Sequence, residues 1–162
     1  MIFHNYLLTT SIISLTYYDD YNHFDSMLIY KEFAEYSEEN NKINLIPIWV
    51  LSLEIGLIFE ENYQYNQAMK YHKLALKKAA VRKADEDTFG SIYYYMGMNY
   101  FSSEKYDSSL IYFDKSLPLL DPSNSQWVYN EMALYRANIK VKKEKYKEAI
   151  DDYKMILLDF KE

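Results

Sequence analysis

Residues 93–122 read YYYMGMNYFSSEKYDSSLIYFDKSLPLLDP. Apolar side chains recur in this stretch at the three- and four-residue steps of an α-helix, and a short polar run interrupts them before Tyr106. Pro122 disfavours helical backbone in the residue that precedes it. The stretch therefore predicts two helices joined by a short turn, over 87–102 and 105–119.

The same pattern recurs along the whole chain with a nearly constant period. The aromatic residues that follow a short polar break are separated by 41, 41 and 40 residues; they are Phe24, Tyr65, Tyr106 and Tyr146. Small side chains recur around these anchors, as at Gly56, Gly97 and Ala137, and favour close approach of two helices. We predict eight helices in four pairs, 3–18 with 22–39, 45–61 with 65–83, 87–102 with 105–119, and 125–142 with 145–160.

Composition supports an all-α chain. Only three Gly and three Pro occur in 162 residues, which leaves little material for hairpin turns or for loops that hold phosphate groups. The composition therefore disfavours a β-sandwich, a Rossmann domain and a P-loop. The length is that of about one domain, and no long linker interrupts the repeats, so we predict a single array over 1–162.

Charge and cysteine content exclude further classes of protein. The formal net charge is −6, so the chain lacks the basic surface that direct nucleic-acid binding requires. The absence of cysteine excludes disulfides, a cysteine nucleophile and zinc sites built on cysteine.

The longest apolar segment near the amino terminus, 6–15, contains two Thr and two Ser, and the first basic side chain is Lys31. This pattern predicts neither membrane insertion nor a signal peptide. We expect a cytoplasmic protein, or a periplasmic one if a leader was removed.

The repeats resemble the tetratricopeptide (TPR) family. In the third repeat the matching residues are Tyr93, Met96, Gly97, Tyr100, Ser109, Phe113 and Pro122. The second repeat has Ile55, Gly56, Phe59, Ala68 and His72, and the fourth has Ala133, Ala137, Ala149 and Tyr153. The period exceeds the roughly 34 residues usual for the family. Such extended repeats are similar to those of bacterial regulatory proteins.

The resemblance implies a right-handed α-solenoid of about four helix pairs (seven to eight helices), with repeats over about 8–48, 49–89, 90–129 and 130–162. It also implies a protein or peptide segment bound on a concave face, in a non-catalytic scaffold or sensor module of a bacterial regulatory or signalling protein. The groove residues that it implies are Leu53, Leu57, Tyr94, Met98, Phe101, Leu134 and Asn138. Apolar residues at helical spacing also fit an alternative, in which they pack against another helix of the chain.

A second interpretation is structural. The last helix carries Tyr153, Ile156, Leu157 and Phe160, whose apolar side chains predict a spacer or dimerisation segment of a larger regulator, with a homodimer formed through terminal helices.

An enzyme is the least supported interpretation, because no phosphate loop or nucleophile elbow is present. His4, His23 and His72 lack metal-ligand spacing, and His72 is expected to lie in a core or interface. The neighbouring carboxylates Asp151 and Asp152 are expected to be solvated or to lie near a helix N-terminus. We predict no catalytic residue, metal or cofactor.

The basic run 140–147 is the best argument for an anionic partner. We nevertheless expect a solvated turn, with lysines near a helix C-terminus.

Overall fold

A computed structural model describes residues 48–121 and 126–158. Within these ranges the regular structure is helical, as predicted. The helices are α1 (Ile48–Glu61), α2 (Tyr65–Arg82), α3 (Glu86–Ser102), α4 (Tyr106–Ser116), α5 (Gln126–Lys142) and α6 (Tyr146–Leu158). A 3-10 turn, Leu117–Leu119, follows α4. The predicted helices 3–18 and 22–39 lie outside the described residues.

The chain divides into two compact units, Met1–Ala75 and Leu76–Glu162. The boundary falls inside α2, so the first unit contains α1 and the second contains α3 to α6. In the second unit α3 packs against α4 and α5 packs against α6, while α5 also contacts both α3 and α4.

The turns that join paired helices repeat the spacing of the sequence. Tyr63, Glu104 and Glu144 have φ angles of 60°, 59° and 60°, in the left-handed region. In each turn the next residue donates its backbone N–H to the carbonyl five residues earlier, as Lys105 does to Tyr100 at 2.8 Å. This bonding pattern satisfies carbonyl groups at the end of the first helix and turns the chain into the second. The backbone thus repeats with the predicted steps of 41 and 40 residues.

Small residues allow the paired helices to cross closely. A Cβ atom on Gly97 would lie 2.5 Å from the Phe113 ring, and one on Gly56 would lie 2.6 Å from Nδ1 of His72. The Ser109 hydroxyl also donates a hydrogen bond to the Gly97 carbonyl at 2.9 Å. A side chain larger than hydrogen has no room at either glycine.

The core of the second unit lies between α3, α4 and α5. Its buried members are Tyr94, Phe113, Leu120, Val128, Met132 and Ile139. Phe113 is fully buried, and its ring stacks with those of Tyr94 and Tyr135 at centroid distances of 6.2 and 6.4 Å. Helix α5 therefore completes a core that α3 and α4 begin.

The start of α3 shows why a helix begins after Ala84. The Asp85 carboxylate accepts the Thr88 backbone N–H at 2.8 Å, which satisfies one of the free donors of the first turn. Hydrogen bonding from the Thr88 side chain and from its backbone N–H holds the pKa of Asp85 below its usual value.

Along the described ranges no helix has the length and apolar character needed to cross a lipid bilayer.

Candidate functional site

The predicted groove residues of the second unit lie on two helices. Tyr94, Met98 and Phe101 are on α3, and Leu134 and Asn138 are on α5. The three α3 residues are spaced so that they share one side of that helix. All three belong to the core cluster or pack against it.

Tyr94 packs between α3 and α5 and is only 3% exposed. Its hydroxyl donates to a Glu131 carboxylate oxygen at 2.6 Å, and the Trp127 ring meets its ring edge-on at 6.1 Å. Burial, followed by the bond to Glu131, raises the pKa of Tyr94 well above its usual value. The alternative that these side chains pack against another helix therefore holds for Tyr94, which does not line an open groove.

Phe101 and Met98, also on α3, are half-buried. The Phe101 ring meets the Tyr135 ring of α5 at a centroid distance of 4.7 Å, and Met98 packs against the core cluster. Phe101 thus contributes to the contact between α3 and α5, and Met98 contributes to the packing of the core.

Helix α5 instead presents the exposed apolar residues. Trp127, Leu134 and Val141 are 59%, 43% and 40% exposed. They are seven residues apart, a spacing that places them in one line along a helix. Asn138 lies on the same side, and its Oδ1 atom accepts the Tyr153 hydroxyl at 2.8 Å. Trp127 was not among the predicted site residues, although the seven-residue spacing would have identified it.

Two further apolar residues are exposed on α6. Tyr146 is 59% exposed and Ile150 is 51% exposed, and they are four residues apart on one side of the helix. Since α6 packs against α5, we consider four exposed residues together as the α5–α6 surface; they are Leu134, Val141, Tyr146 and Ile150.

Leu53 and Leu57, the remaining predicted groove residues, lie on α1 in the first unit. Leu53 is buried and Leu57 is half-buried. Leu53 therefore offers little of its side chain to a ligand in this conformation.

A charged network connects α4, α5 and α6. The buried Asp152 carboxylate lies 2.7 Å from Lys140 Nζ and 3.4 Å from the Arg136 guanidinium, which also lies 3.2 Å from Asp114. Asp152 was expected to be solvated or near a helix N-terminus, and this expectation is wrong, because two cations of the adjacent helix pair with it inside the protein. Its neighbour Asp151 is exposed.

Most lysines of the basic run 140–147 also have hydrogen-bond or ion-pair partners within the chain. Lys142 donates to the Tyr106 hydroxyl at 2.8 Å, Lys143 pairs with Asp107, and Lys145 lies 3.4 Å from Glu148. The bond to Tyr106 raises the pKa of Lys142. These lysines therefore contribute less to a surface that binds anions than the sequence indicates. Lys147 is exposed as they are.

His72 lies in the interior of the first unit, as predicted. It is fully buried beside Gly56, and its Nε2 atom is 3.8 Å from a Glu60 carboxylate oxygen. Within 48–121 and 126–158, no group of three His, Cys, Asp or Glu side chains is placed to hold a metal ion.

Comparison with known proteins gives a fold and no family. No protein-family model and no curated protein matches the chain. Among solved structures it is similar to the crystal structure of BtubC (BKLC) from P. vanneervenii, with a TM-score of 0.67 and 16% sequence identity. The match covers 85% of this chain and 57% of that chain. The likeness shows a shared helical fold, and this chain spans little more than half the length of BtubC.

Proposed function

We propose that this protein is a non-catalytic, TPR-like scaffold that binds a segment of another protein. The observation that supports this proposal best is a line of exposed apolar residues on α5; they are Trp127, Leu134 and Val141. Apolar side chains aligned on one side of a helix are typical of surfaces that accept a helical or extended peptide. Trp also provides a large, rigid contact area at binding surfaces.

The proposal places the binding surface on α5 and moves it away from Tyr94. Of the predicted groove residues, Leu134 and Asn138 stay in the proposed surface, because they lie on the side of α5 that carries the exposed line. The proposal includes no contact between the partner and four other predicted groove residues, which are Leu53, Leu57, Met98 and Phe101. The extended repeats, similar to those of bacterial regulatory proteins, support a role in regulation or signalling.

The test is a pull-down that compares the wild-type chain with the Leu134→Glu, Val141→Glu double variant. Carboxylates at these positions place charge on an apolar contact, so partner binding should fall while helicity, measured by circular dichroism, is retained. Ile111→Glu is the matched control, because Ile111 is equally apolar and exposed but lies on α4. A partner that the double variant retains, or that the control also loses, would exclude this surface.

A second candidate function is self-association through α6. Tyr146 and Ile150 are exposed there, whereas Tyr153 and Ile156 of the predicted dimerisation set are half-buried. Leu157 and Phe160 lie outside the described side chains. Sedimentation at increasing concentration tests this function: a dimer that Ile150→Glu dissociates supports it, and a monomer throughout contradicts it.

A further inference from the structure

Two surfaces of the second unit correspond residue by residue at a shift of 40 positions. Helices α3 and α4 begin at Glu86 and Tyr106, and α5 and α6 begin at Gln126 and Tyr146. Four apolar residues of the first pair lie in or against the core cluster that α5 completes, and their four counterparts form the exposed α5–α6 surface. The corresponding pairs are Tyr94 with Leu134, Phe101 with Val141, Tyr106 with Tyr146, and Leu110 with Ile150.

The occupant of the first surface is visible in the structure and is a helix. Helix α5 covers α3 through the contact of Tyr135 with Phe101 and the hydrogen bond from Tyr94 to Glu131. The α5–α6 surface repeats the apolar positions on two helices of the same spacing. The shape that fits it is therefore an α-helix that lies on α5 and α6 as α5 lies on α3 and α4.

At two corresponding positions the two surfaces carry opposite charges. Asp107 of α4 pairs with Lys143, which directly follows α5, and Asp114 of α4 lies 3.2 Å from Arg136. The residues 40 positions after these two aspartates are Lys147 and Lys154, both exposed on α6. Lys154 also lies 3.5 Å from the exposed Asp151 carboxylate, a weak pair that is open to solvent. A helix on the α5–α6 surface thus meets ammonium groups where α5 meets carboxylates.

We propose that the α5–α6 surface binds an acidic amphipathic helix of a partner protein. Two carboxylates of that helix, seven residues apart like Arg136 and Lys143, face Lys154 and Lys147. Apolar residues of the same helix contact the four residues of the surface. The inference rests on the proposed function and adds the shape and charge of the partner.

A second copy of the segment 126–143 does not meet these requirements. Its Arg136 and Lys143 would face Lys154 and Lys147, and like charges at such distances oppose docking and select against the wrong partner. The proposal therefore excludes a chain of identical subunits stacked in the manner of α3–α4 and α5.

The experiment uses the full chain and two stapled helical peptides that differ only in charge. One peptide has the sequence of 126–143, and the other carries Arg136→Glu and Lys143→Glu. Both carry Glu131→Leu, because Leu134 offers no hydroxyl in place of that of Tyr94. Binding is measured by fluorescence anisotropy at two salt concentrations, since added salt weakens exposed ion pairs.

We expect the acidic peptide to bind about tenfold more tightly than the basic one, and this preference to shrink in high salt. The Lys147→Glu, Lys154→Glu double variant should reverse the order. Lys105→Glu, an exposed lysine on the turn before α4, should leave the order unchanged. Ile150→Glu should weaken both peptides.

The other outcomes overturn the inference in distinguishable ways. Equal binding of the two peptides would remove the acidic requirement and leave the proposed function intact. Tighter binding of the basic peptide would identify a second copy of the chain as the occupant. Binding of neither peptide would show that the surface does not accept a helix, while the pull-down with Leu134→Glu, Val141→Glu decides the proposed function separately.

Discussion

The helix pairs α3–α4 and α5–α6 have matching residue positions 40 apart and differ in what lies on them. Tyr94 of the first pair is buried under α5, whereas its counterpart Leu134 is exposed. Phe101 and Val141 differ in the same direction. Helix α5 covers one pair and forms the base of the other. The exposure of an apolar side chain in this protein thus depends on the neighbouring helix more than on the position within the repeat.

The largest expected difference between the two pairs is at the ring that fills each helix crossing. Phe113 is fully buried between aromatic rings, so Phe113→Ala should lower the free energy of unfolding by about 3–5 kcal/mol. Its counterpart Tyr153 is half-buried and bonded to Asn138, so Tyr153→Ala should cost about 1–2 kcal/mol. Urea unfolding followed by circular dichroism measures both. Equal losses would contradict the comparison.

The second-largest expected difference in stability between the two helix pairs is at Gly97, which contacts the Phe113 ring. Gly97→Ala should destabilise by about 1–3 kcal/mol, because the neighbouring Tyr94 and Tyr135 rings restrict movement of the Phe113 ring. The counterpart in α5 is Ala137, which is buried with its methyl group accommodated, so Ala137→Gly should cost about 1 kcal/mol through helix propensity.

Phe113→Leu provides the control for this contact. Combined with Gly97→Ala, it should recover part of the loss, with a coupling of about 0.5–3 kcal/mol in a double-mutant cycle. Additive effects of the two substitutions would show that the ring and the glycine do not interact.

The burial of Tyr94 and its hydrogen bond to Glu131 should make the stability of the α3–α4 pair sensitive to alkaline pH. Because the folded protein raises the pKa of Tyr94, the folded state keeps a proton that the unfolded chain releases as pH rises above about 10. The stabilisation is fully present below pH 10 and is lost above it. Tyr94→Phe should cost about 1–2 kcal/mol at neutral pH and reduce the decline above pH 10. Tyr146→Phe, at an exposed position, serves as the control; an equal effect there would exclude the role of Tyr94.

The sequence predicted the helices well because their signals are local. The prediction 87–102 corresponds to Glu86–Ser102, and 125–142 corresponds to Gln126–Lys142. The prediction 105–119 extends past Ser116, where a 3-10 turn replaces the α-helix. Pro118 explains the difference, since it has no N–H to donate to a carbonyl in the preceding turn.

The candidate site was predicted less completely, because its character depends on contacts between distant residues. Tyr94 and Leu134 occupy the same repeat position, so spacing alone assigns both to a groove. Only the placement of α5 distinguishes the buried residue from the exposed one. Asp152 is a similar case, since its pairing with Arg136 and Lys140 of the adjacent helix has no signature in the neighbouring sequence.

The smallest expected effect concerns the turn within each helix pair, which has the same backbone conformation in both. Glu104 and Glu144 both have left-handed backbone angles, which cost an L-residue free energy and cost glycine none. Glu104→Gly and Glu144→Gly should each stabilise the protein by about 0.4–1 kcal/mol, after the greater flexibility of glycine in the unfolded chain is included. Lys105→Gly is the control, because Lys105 has a φ angle of −89° and glycine gains no advantage there. Unequal gains at Glu104 and Glu144 would show that the neighbouring helices, and not the turns alone, determine the strain, because the two turns share the same hydrogen bonds and backbone angles.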